Sequence, residues 1–297
     1  MPCPRPIVVA VATLIISFAV HAQAARGTVR EGLTIESEIL KRAVRYSVYL
    51  PFDYESSVRY YPAVFLLHGG GGDESSWVEL EAGMTADELI AAREIPPMVL
   101  IMPDAGTSRY VNSLDGTVPY EDFFFRELIP AMEAKYRIRP DKWHRAVAGF
   151  SMGGYASVVY ALRHPDAFLA AAGLSAAIYT DDMTLAMTQE QWDQGRGAAF
   201  GTGLRGTDRL SAHYRQYDPL TIVRDAPAEQ KKYPRLYLDC GDDDVRNDGN
   251  AALHVLLRNA HIPHEYRVRD GGHTLTYWRV GLREVLRFIG DTFREPL

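Results

Sequence analysis

Short apolar segments of this chain alternate with segments of helical periodicity, and this alternation restricts the folds that the chain can adopt. Seven segments are predicted to be strands: residues 44–50, 63–67, 98–102, 145–150, 170–174, 235–240 and 264–268. Four are predicted to be helices: residues 121–135, 153–163, 250–259 and 277–289. Most of the strands are apolar throughout, which is typical of strands covered on both faces. We therefore expect an α/β fold with a mainly parallel sheet and helices on both faces.

Two features interrupt this order. Pro130 lies inside the helix predicted at 121–135, and because proline lacks an N–H and clashes with the preceding turn, that helix should kink or split there. Residues 175–234 are too long for a simple loop. We interpret them as an insertion, which lies either at the mouth of a site or over an edge of the sheet. Residues 25–297 are predicted to form one domain that contains this insertion around 175–234.

The first 24 residues have the pattern of a secretory signal peptide. Arg5 precedes an apolar run at 7–20, and Ala22-Gln23-Ala24 is the small-x-small sequence at which signal peptidase cleaves. The apolar run is shorter than the roughly 20 residues that a spanning helix needs, so we favour cleavage after Ala24 over a membrane anchor. We expect a secreted or periplasmic protein without stable membrane insertion.

Composition limits the partners and the covalent cross-links. The chain has a formal net charge of −6 and no cluster of Lys and Arg interleaved with aromatic residues, so nucleic acid is not an expected partner. It contains two cysteines, Cys3 and Cys240. Cleavage of the leader removes Cys3, and Cys240 at the end of an apolar strand is predicted to be a packed, unreactive thiol. The oligomeric state is left open.

Residues 149–153 read Gly-Phe-Ser-Met-Gly, which matches the G-x-S-x-G pattern of a strand–turn–helix that exposes a nucleophilic serine. The two glycines are needed because strand and helix approach closely at that turn. An apolar strand runs directly into the motif and a helical segment leaves it, as such a turn requires. Ser151 is therefore the candidate nucleophile, against the alternative of a glycine-rich turn with an incidental serine.

A serine hydroxyl needs an imidazole to accept its proton and a carboxylate to orient that imidazole. His273 is the best candidate base, because it lies in a Gly-Gly-His loop between a strand and a helix. For the acid we choose Asp244, which follows the strand at 235–240, while its neighbours Asp242 and Asp243 compete for the role. The segment 247–250 fails the calcium-loop pattern, so no metal is expected.

Negative charge that develops on a carbonyl oxygen during attack requires backbone N–H donors that already point at it. In the strand–turn–helix arrangement one donor is the residue after the nucleophile, which is Met152. The other is expected from the loop at 68–72, where a histidine and four glycines follow the strand at 63–67. The glycines allow the backbone to approach a substrate, and His68 is predicted to anchor the loop. A phosphate-binding loop is not indicated, because no matching glycine motif is present.

Ordered motifs along most of the chain resemble the esterase D-like family of α/β-hydrolases, which includes feruloyl and acetyl-xylan esterases, S-formylglutathione hydrolases and mycolyltransferases. The motifs are Leu66-Leu67-His68-Gly69, Met102-Pro103-Asp104, Tyr120-Glu121-Asp122, Glu127-Leu128-Ile129-Pro130, residues 149–155, Cys240-Gly241-x-x-Asp244, Gly272-His273 and Trp278-Arg279. The resemblance implies an α/β-hydrolase fold and a Ser151–Asp244–His273 triad. It also implies Gly70 and Met152 as oxyanion donors and a reaction without a cofactor.

Three features bear on which branch of that family the chain resembles most. S-formylglutathione hydrolases usually have a histidine where this chain has Tyr155, and they act in the cytosol. Mycolyltransferases usually lack the glycine at Gly154. Secreted esterases that release ferulate or acetate from carbohydrate are therefore the expected relatives, with a small-molecule or carbohydrate ester as substrate. A mycolyltransferase-type acyltransferase, an S-formylglutathione hydrolase-like thioesterase and a binding protein that has lost its chemistry are the alternatives. Four aromatic residues are candidates for lining an acyl pocket: Trp77, Tyr110, Tyr179 and Trp192.

Overall fold

A computed structural model of the chain describes residues 26–226 and 233–294, together with Met1 and Cys3. The predicted signal peptide at 1–24 otherwise lies outside the described residues. Within the described ranges no helix combines the length and the apolar character needed to cross a bilayer.

Eight strands form one sheet in the order β1-β2-β4-β3-β5-β6-β7-β8. Their bounds are β1 Thr28–Ser37, β2 Arg42–Leu50, β3 Ala63–Leu67, β4 Val99–Pro103, β5 Arg145–Phe150, β6 Ala170–Leu174, β7 Arg235–Gly241 and β8 His264–Arg269. The pairs β1–β2 and β2–β4 are antiparallel, and every other neighbouring pair is parallel. The predicted α/β fold with a mainly parallel sheet is confirmed.

The strand missing from the sequence prediction is β1, at the edge of the sheet. Most of its residues are exposed and only Ser37, at its end, is buried. Its sequence therefore lacks the apolar run by which the central strands were recognised, and its pairing with β2 depends on backbone hydrogen bonds that composition does not reveal.

Helices cover both faces of the sheet. Their bounds are α1 Ser76–Glu79, α2 Ala82–Ala91, α3 Tyr120–Phe123, α4 Ile129–Lys135, α5 Met152–Arg163, α6 Asp181–Leu185, α7 Gln189–Trp192, α8 Ala198–Phe200, α9 Ala212–Arg215, α10 Pro219–Asp225, α11 Asn247–Asn259 and α12 Leu275–Arg294. On one face Phe65 of β3 belongs to the core that contains α3, α4, α5 and α11. On the other, Val64 and Leu66 pack in the core of α2 and α12. Adjacent residues of one strand thus contribute to two cores, which explains the continuous apolar run.

The helix predicted at 121–135 is interrupted before Pro130, as expected. The structure has α3, then a wider π-helical turn at Phe124–Leu128, and then α4. Pro130 occupies the first turn of α4, where a residue without an N–H loses no intrahelical hydrogen bond.

The long stretch at 175–234 contains five of these helices, α6 to α10, none longer than seven residues. Residues 227–232 within it lie outside the described part of the chain. A hydrogen bond to a buried carboxylate attaches this stretch to the domain: the Tyr217 hydroxyl donates at 2.9 Å to Glu121 of α3, which also forms an ion pair with Arg163 of α5 at 2.8 Å.

Gly153, two residues after the candidate nucleophile, allows a very close contact between α5 and β3. A Cβ on Gly153 would lie 2.1 Å from the carbonyl oxygen of Leu67, whereas a Cβ on Gly195 would meet no atom within 4 Å. We predict that Gly153→Ala lowers the free energy of unfolding by about 3 kcal/mol, measured by urea denaturation, because backbone must move to admit the methyl group. Gly195→Ala is the control, and equal stabilities for the two variants would contradict the prediction.

Candidate active site

The candidate residues lie at one edge of the sheet, beyond the carboxyl ends of parallel strands. Ser151 follows β5, the loop at 69–72 follows β3, Asp244 follows β7, and His273 lies between β8 and α12. Since β3, β5, β6, β7 and β8 are parallel neighbours, their carboxyl ends meet there, which is the usual place for a site in this architecture.

Ser151 occupies a strained turn between β5 and α5, with φ 51° and ψ −112°. The turn is held by its own backbone: the Ser151 N–H donates to the Leu174 carbonyl at 2.8 Å, and its carbonyl accepts from the Ala177 N–H at 2.9 Å. The glycines on either side are closely packed, since a Cβ on Gly149 would lie 2.3 Å from the carbonyl carbon of Gly153. Strain of this kind persists only where the surrounding contacts overdetermine it.

The side chains of Ser151, His273 and Asp244 form a continuous hydrogen-bonded chain. His273 Nε2 lies 2.9 Å from Ser151 Oγ. The other ring nitrogen, Nδ1, lies 3.0 and 2.9 Å from the two carboxylate oxygens of Asp244. An Nδ1–H that donates to the carboxylate leaves Nε2 free to accept the serine proton.

Asp244 is distinguished from its two neighbours by burial. Its side chain is 0% exposed, while Asp242 and Asp243 are exposed. Burial raises the pKa of Asp244, but hydrogen bonds from His273 and from the Arg246 N–H outweigh burial and lower that pKa below its usual value. The carboxylate is therefore ionised at neutral pH.

Asp242 and Asp243 connect the turn after β7 to the loop that carries His273. The Gly271 N–H donates to Asp242 Oδ1 at 3.0 Å, and the Asp243 N–H donates to the Gly271 carbonyl at 3.1 Å. The two loops touch so closely that a Cβ on Gly241 would lie 1.9 Å from the Gly271 oxygen. Carboxylate oxygens of Asp242, Asp243 and Asp270 come within 4.8 Å of one another, but all three residues are exposed, and a loop-bracing role accounts for Asp242.

A buried aspartate that the sequence analysis did not single out supports the same loops. Asp239 of β7 is 0% exposed and accepts hydrogen bonds from Arg269 Nε at 2.9 Å, from Arg269 Nη2 at 3.0 Å and from the Tyr277 hydroxyl. These contacts tie together β7, the end of β8 and the first turn of α12, on either side of His273. The available signal was an acid inside an otherwise apolar strand.

Trp278 in the first turn of α12 packs against the imidazole of His273, with ring centroids 4.8 Å apart and an edge-to-face angle. Its other contact is Phe150, the residue before Ser151, with stacked rings at 4.4 Å. Trp278 thus connects the loop of the candidate base to the strand of the candidate nucleophile.

Cys240, two residues before Asp242, is buried, and burial raises the pKa of its thiol to about 12, so the thiol stays protonated.

The two predicted oxyanion donors flank Ser151. Met152 is the first residue of α5, so its N–H has no acceptor within the helix. Gly70 faces open space, since a Cβ there would meet nothing within 4 Å, and the neighbouring Gly69 would bring a Cβ to 3.4 Å from the Ser151 Cβ. Gly70 and Met152 thus line the same cavity as Ser151, and their role as oxyanion donors stays a prediction.

His68 anchors the glycine loop. Its Nδ1 lies 2.7 Å from the Gly69 carbonyl oxygen and its Nε2 accepts the Ala105 N–H at 2.9 Å, with the side chain buried. Nδ1–H as donor and Nε2 as acceptor define a neutral imidazole. Burial lowers the pKa of His68, in agreement with this hydrogen-bond pattern.

Ser151 lines two cavities. The larger, of about 690 Å³, is lined by Gly70, Gly71, Thr107, Arg109, Ser151, Met152, Ala177, Tyr179, Met183, Ala186, Met187, Gln191, Gln194, Gly195, Arg196 and Arg246. The smaller, of about 350 Å³, is lined by Gly69, Gly70, Gly71, Gly72, Ser76, Glu79, Leu80, Phe150, Ser151, His273, Leu275, Trp278 and Arg279. Most of the wall of the larger cavity comes from the stretch at 175–234, and His273 faces only the smaller one. We call them the large cavity and the His273 cavity.

Of the four aromatic candidates for a pocket, only Tyr179 lines either cavity. Trp77, Tyr110 and Trp192 are almost fully buried in the core. Their polar atoms bind main-chain carbonyls: Trp77 Nε1 donates to Leu67 at 3.0 Å, the Tyr110 hydroxyl to His68 at 3.2 Å and Trp192 Nε1 to Gly201 at 2.8 Å. The sequence could not distinguish these packing roles from ligand contact.

Comparison with known proteins places these features in context. A family model described as "Putative esterase" matches residues 37–289. Esterase Rv1288 of Mycobacterium tuberculosis is 31% identical over 245 residues, which cover 76% of this chain and 52% of that protein. The endo-1,4-beta-xylanase/feruloyl esterase of Xylanibacter ruminicola is 35% identical over 144 residues, which cover 46% of this chain and 20% of that protein. The chain thus spans about half the length of the first of these relatives and less of the second.

A solved structure of a ferulic acid esterase has the same fold. It superposes with a TM-score of 0.78 and 30% sequence identity, over 90% of this chain and 99% of that one. The similarity therefore extends over most of the chain, and the range 37–289 that the family model matches includes Ser151, Asp244 and His273.

We predict that His68 makes folding pH-dependent. Its lowered pKa means that between that value and about 6.5, the ordinary histidine pKa, the unfolded chain binds a proton that the folded chain does not. Its contribution to stability is complete above about pH 6.5 and is lost as the pH falls below it. His68→Gln should reduce the slope of the unfolding free energy against pH between pH 5 and 7, by up to about 1.4 kcal/mol per pH unit. Parallel curves for variant and wild type would contradict this role.

Proposed function

The chain belongs to the family of esterases whose model matches residues 37–289, and from that premise we propose that it is a serine carboxylic-ester hydrolase that works through an acyl-enzyme. The observation that carries the proposal is the hydrogen-bonded chain in which Ser151 Oγ lies 2.9 Å from His273 Nε2 and His273 Nδ1 lies 2.9 Å from Asp244. A buried ionised carboxylate, an oriented imidazole and a serine on a strained turn that lines a cavity are the parts that acyl transfer to serine needs.

In the first half of the proposed reaction, Ser151 Oγ attacks the ester carbonyl carbon while His273 Nε2 takes the hydroxyl proton. The negative charge on the former carbonyl oxygen is stabilised by the N–H groups of Gly70 and Met152, and the imidazolium by Asp244. The bond from carbon to the alcohol oxygen then breaks, and His273 gives its proton to the departing alcohol. In the second half water follows the same route, so that the acid is released and Ser151 is regenerated without a cofactor.

The two cavities support one orientation of the ester. Since His273 must protonate the leaving alcohol, the alcohol lies on the side of the His273 cavity, which contains this residue. The acyl group then occupies the large cavity, whose volume of about 690 Å³ is in the ordinary range for a small-molecule site.

For the substrate we propose acyl groups linked to carbohydrate, of the feruloyl or acetyl kind. The support is the similarity to a ferulic acid esterase structure and to a xylanase/feruloyl esterase. The leader-like pattern at 1–24 supports action outside the cytoplasm, where such polymers occur. Because the first half-reaction is shared, transfer of the acyl group to a second alcohol is the competing outcome, and adding sugar acceptors while analysing the products distinguishes it from hydrolysis.

We predict that Ser151→Ala lowers kcat for acetylated and feruloylated sugars by about ten-thousandfold or more, because the variant cannot form an acyl-enzyme. The measurement is release of acetate or ferulate by the folded variant beside the wild type. A fluorophosphonate probe should label the wild type at Ser151 and leave the variant unlabelled. Full hydrolysis by Ser151→Ala would overturn the proposal, and an unlabelled, inactive wild type would favour a binding protein that has lost its chemistry.

We predict different effects for two neighbouring acids, Asp244 and Asp243. Asp244→Asn should lower kcat by about 10⁴-fold, because the amide no longer holds His273 in the required tautomer. Asp243→Asn makes the same change of charge one residue away, at an exposed side chain that does not contact His273, and should change kcat less than tenfold. Steady-state kinetics of the three proteins test this, and equal losses in both variants would remove Asp244 from its assigned role.

A further inference from the structure

The large cavity is lined by three arginines and by no acidic residue. Arg109 comes from the loop after β4, Arg196 from the stretch at 175–234, and Arg246 from the turn that precedes α11. They are far apart in the sequence and come together only at the cavity that opens on Ser151. Other lining residues with polar side chains, such as Gln191 and Gln194, are neutral.

The charges of these arginines have no counter-ion in the described part of the chain, where no carboxylate lies within the 4.0 Å of an ion pair. Arg109 donates only to the Gly195 carbonyl, at 3.0 Å, and its Nε and Nη2 atoms have no partner. The side chains of Arg196 and Arg246 donate no hydrogen bond to described residues, although Arg196 is only 3% exposed. The equally buried Arg209 shows the contrast, since it donates to the carbonyls of neighbouring loops.

Aromatic faces hold the guanidinium groups in place. Arg196 and Arg246 both pack on the ring of Tyr179, at 3.9 and 4.4 Å from its centroid, and Arg109 lies 5.0 Å from the ring of Tyr155. Such contacts orient a cation but offset little of the cost of removing it from water. Burial and the charge of Arg196 lower the pKa of Arg109 to about 10, which still leaves the Arg109 guanidinium charged at neutral pH.

Two buried arginines and a half-buried one, all of like charge and without a counter-ion, oppose folding, so their presence beside Ser151 requires a reason outside the folded chain itself. An anion from the substrate supplies the missing counter-charge. The planar guanidinium fork matches a carboxylate best, because it can donate two parallel hydrogen bonds to the two oxygens.

We propose that the preferred substrates are esters whose acyl group carries a second, free carboxylate, and that Arg109, Arg196 and Arg246 bind this carboxylate in the large cavity. The inference rests on the proposed function, in which the acyl group occupies the large cavity, which His273 does not line. Acids of this kind are dicarboxylic acids esterified through one carboxyl group. A feruloyl group enters the same cavity with an uncharged end and is the slower substrate.

The test compares matched pairs of esters that differ in the charge at the far end of the acyl group. The pairs are monomethyl adipate with methyl hexanoate, and the methyl monoester of 4-carboxycinnamate with methyl ferulate. We expect kcat/KM to be at least about 100-fold higher for the ester that carries the carboxylate in each pair, because one or two charge-assisted hydrogen bonds contribute a difference of this size. Equal or faster hydrolysis of the neutral esters would overturn the proposal while leaving the hydrolase function intact.

Variants identify the arginines as the cause of the preference. Arg196→Gln and Arg246→Gln should each reduce the ratio of kcat/KM between carboxylate and neutral ester about tenfold or more, and Arg196→Lys should retain part of it. Arg205→Gln is the matched control, since Arg205 is an exposed residue of the same stretch that does not line the cavity, and its ratio should equal that of the wild type. An unchanged ratio in folded Arg246→Gln and Arg196→Gln would contradict the assignment.

A binding measurement separates failure of this inference from failure of the proposed function. Calorimetric titration of the Ser151→Ala variant with monomethyl adipate should show binding, because binding does not need the nucleophile. Adding Arg196→Gln to that variant should weaken the binding about tenfold or more. Arginine-dependent binding without hydrolysis of any ester by the wild type would refute the hydrolase and keep the anion site. Hydrolysis of neutral esters, with no tighter binding of the carboxylate ester than of the neutral one, would keep the hydrolase and refute the anion site.

Discussion

The close approach of backbone to backbone around Ser151 is the constraint on which the rest of the site depends. Helix α5 lies so near β3 and β5 that Gly149 and Gly153 have no room for a side chain. This contact helps to hold Ser151 in its strained turn, and it places the start of α5, at Met152, directly beside Ser151. It also sets the distance between the turn and the loop after β3, from which Gly70 comes. One tight packing contact thus places the nucleophile and both proposed oxyanion donors.

Much of this arrangement could be predicted because it depends on local pattern. The central strands are covered on both faces and therefore have continuous apolar sequences, and the turn at Ser151 needs glycines at fixed spacing. Chain order then indicated His273 and Asp244, and the structure brings His273 within hydrogen-bond distance of both Asp244 and Ser151. The edge strand β1 was missed because its exposed residues carry no such pattern.

Features that depend on tertiary contact could not be predicted in the same way. Asp242, Asp243 and Asp244 are equivalent in sequence, and only the direction of the turn after β7 buries the third. Asp239 interrupts an apolar strand, but its partners Arg269 and Tyr277 lie about thirty residues or more away along the chain. Arg109, Arg196 and Arg246 share no local pattern at all; only the folded chain shows that they surround one cavity.

The division of labour between the walls of the site has an evolutionary consequence. The groups proposed to break the ester bond stand on turns that end the strands of the central sheet, whereas more than half of the residues that line the large cavity belong to the segment between β6 and β7, with its short helices and loops. Mutations, insertions or deletions in those helices can reshape the cavity without moving the sheet. Descendants of one ancestral gene can therefore diverge in the acids they release while they inherit the same bond-breaking apparatus.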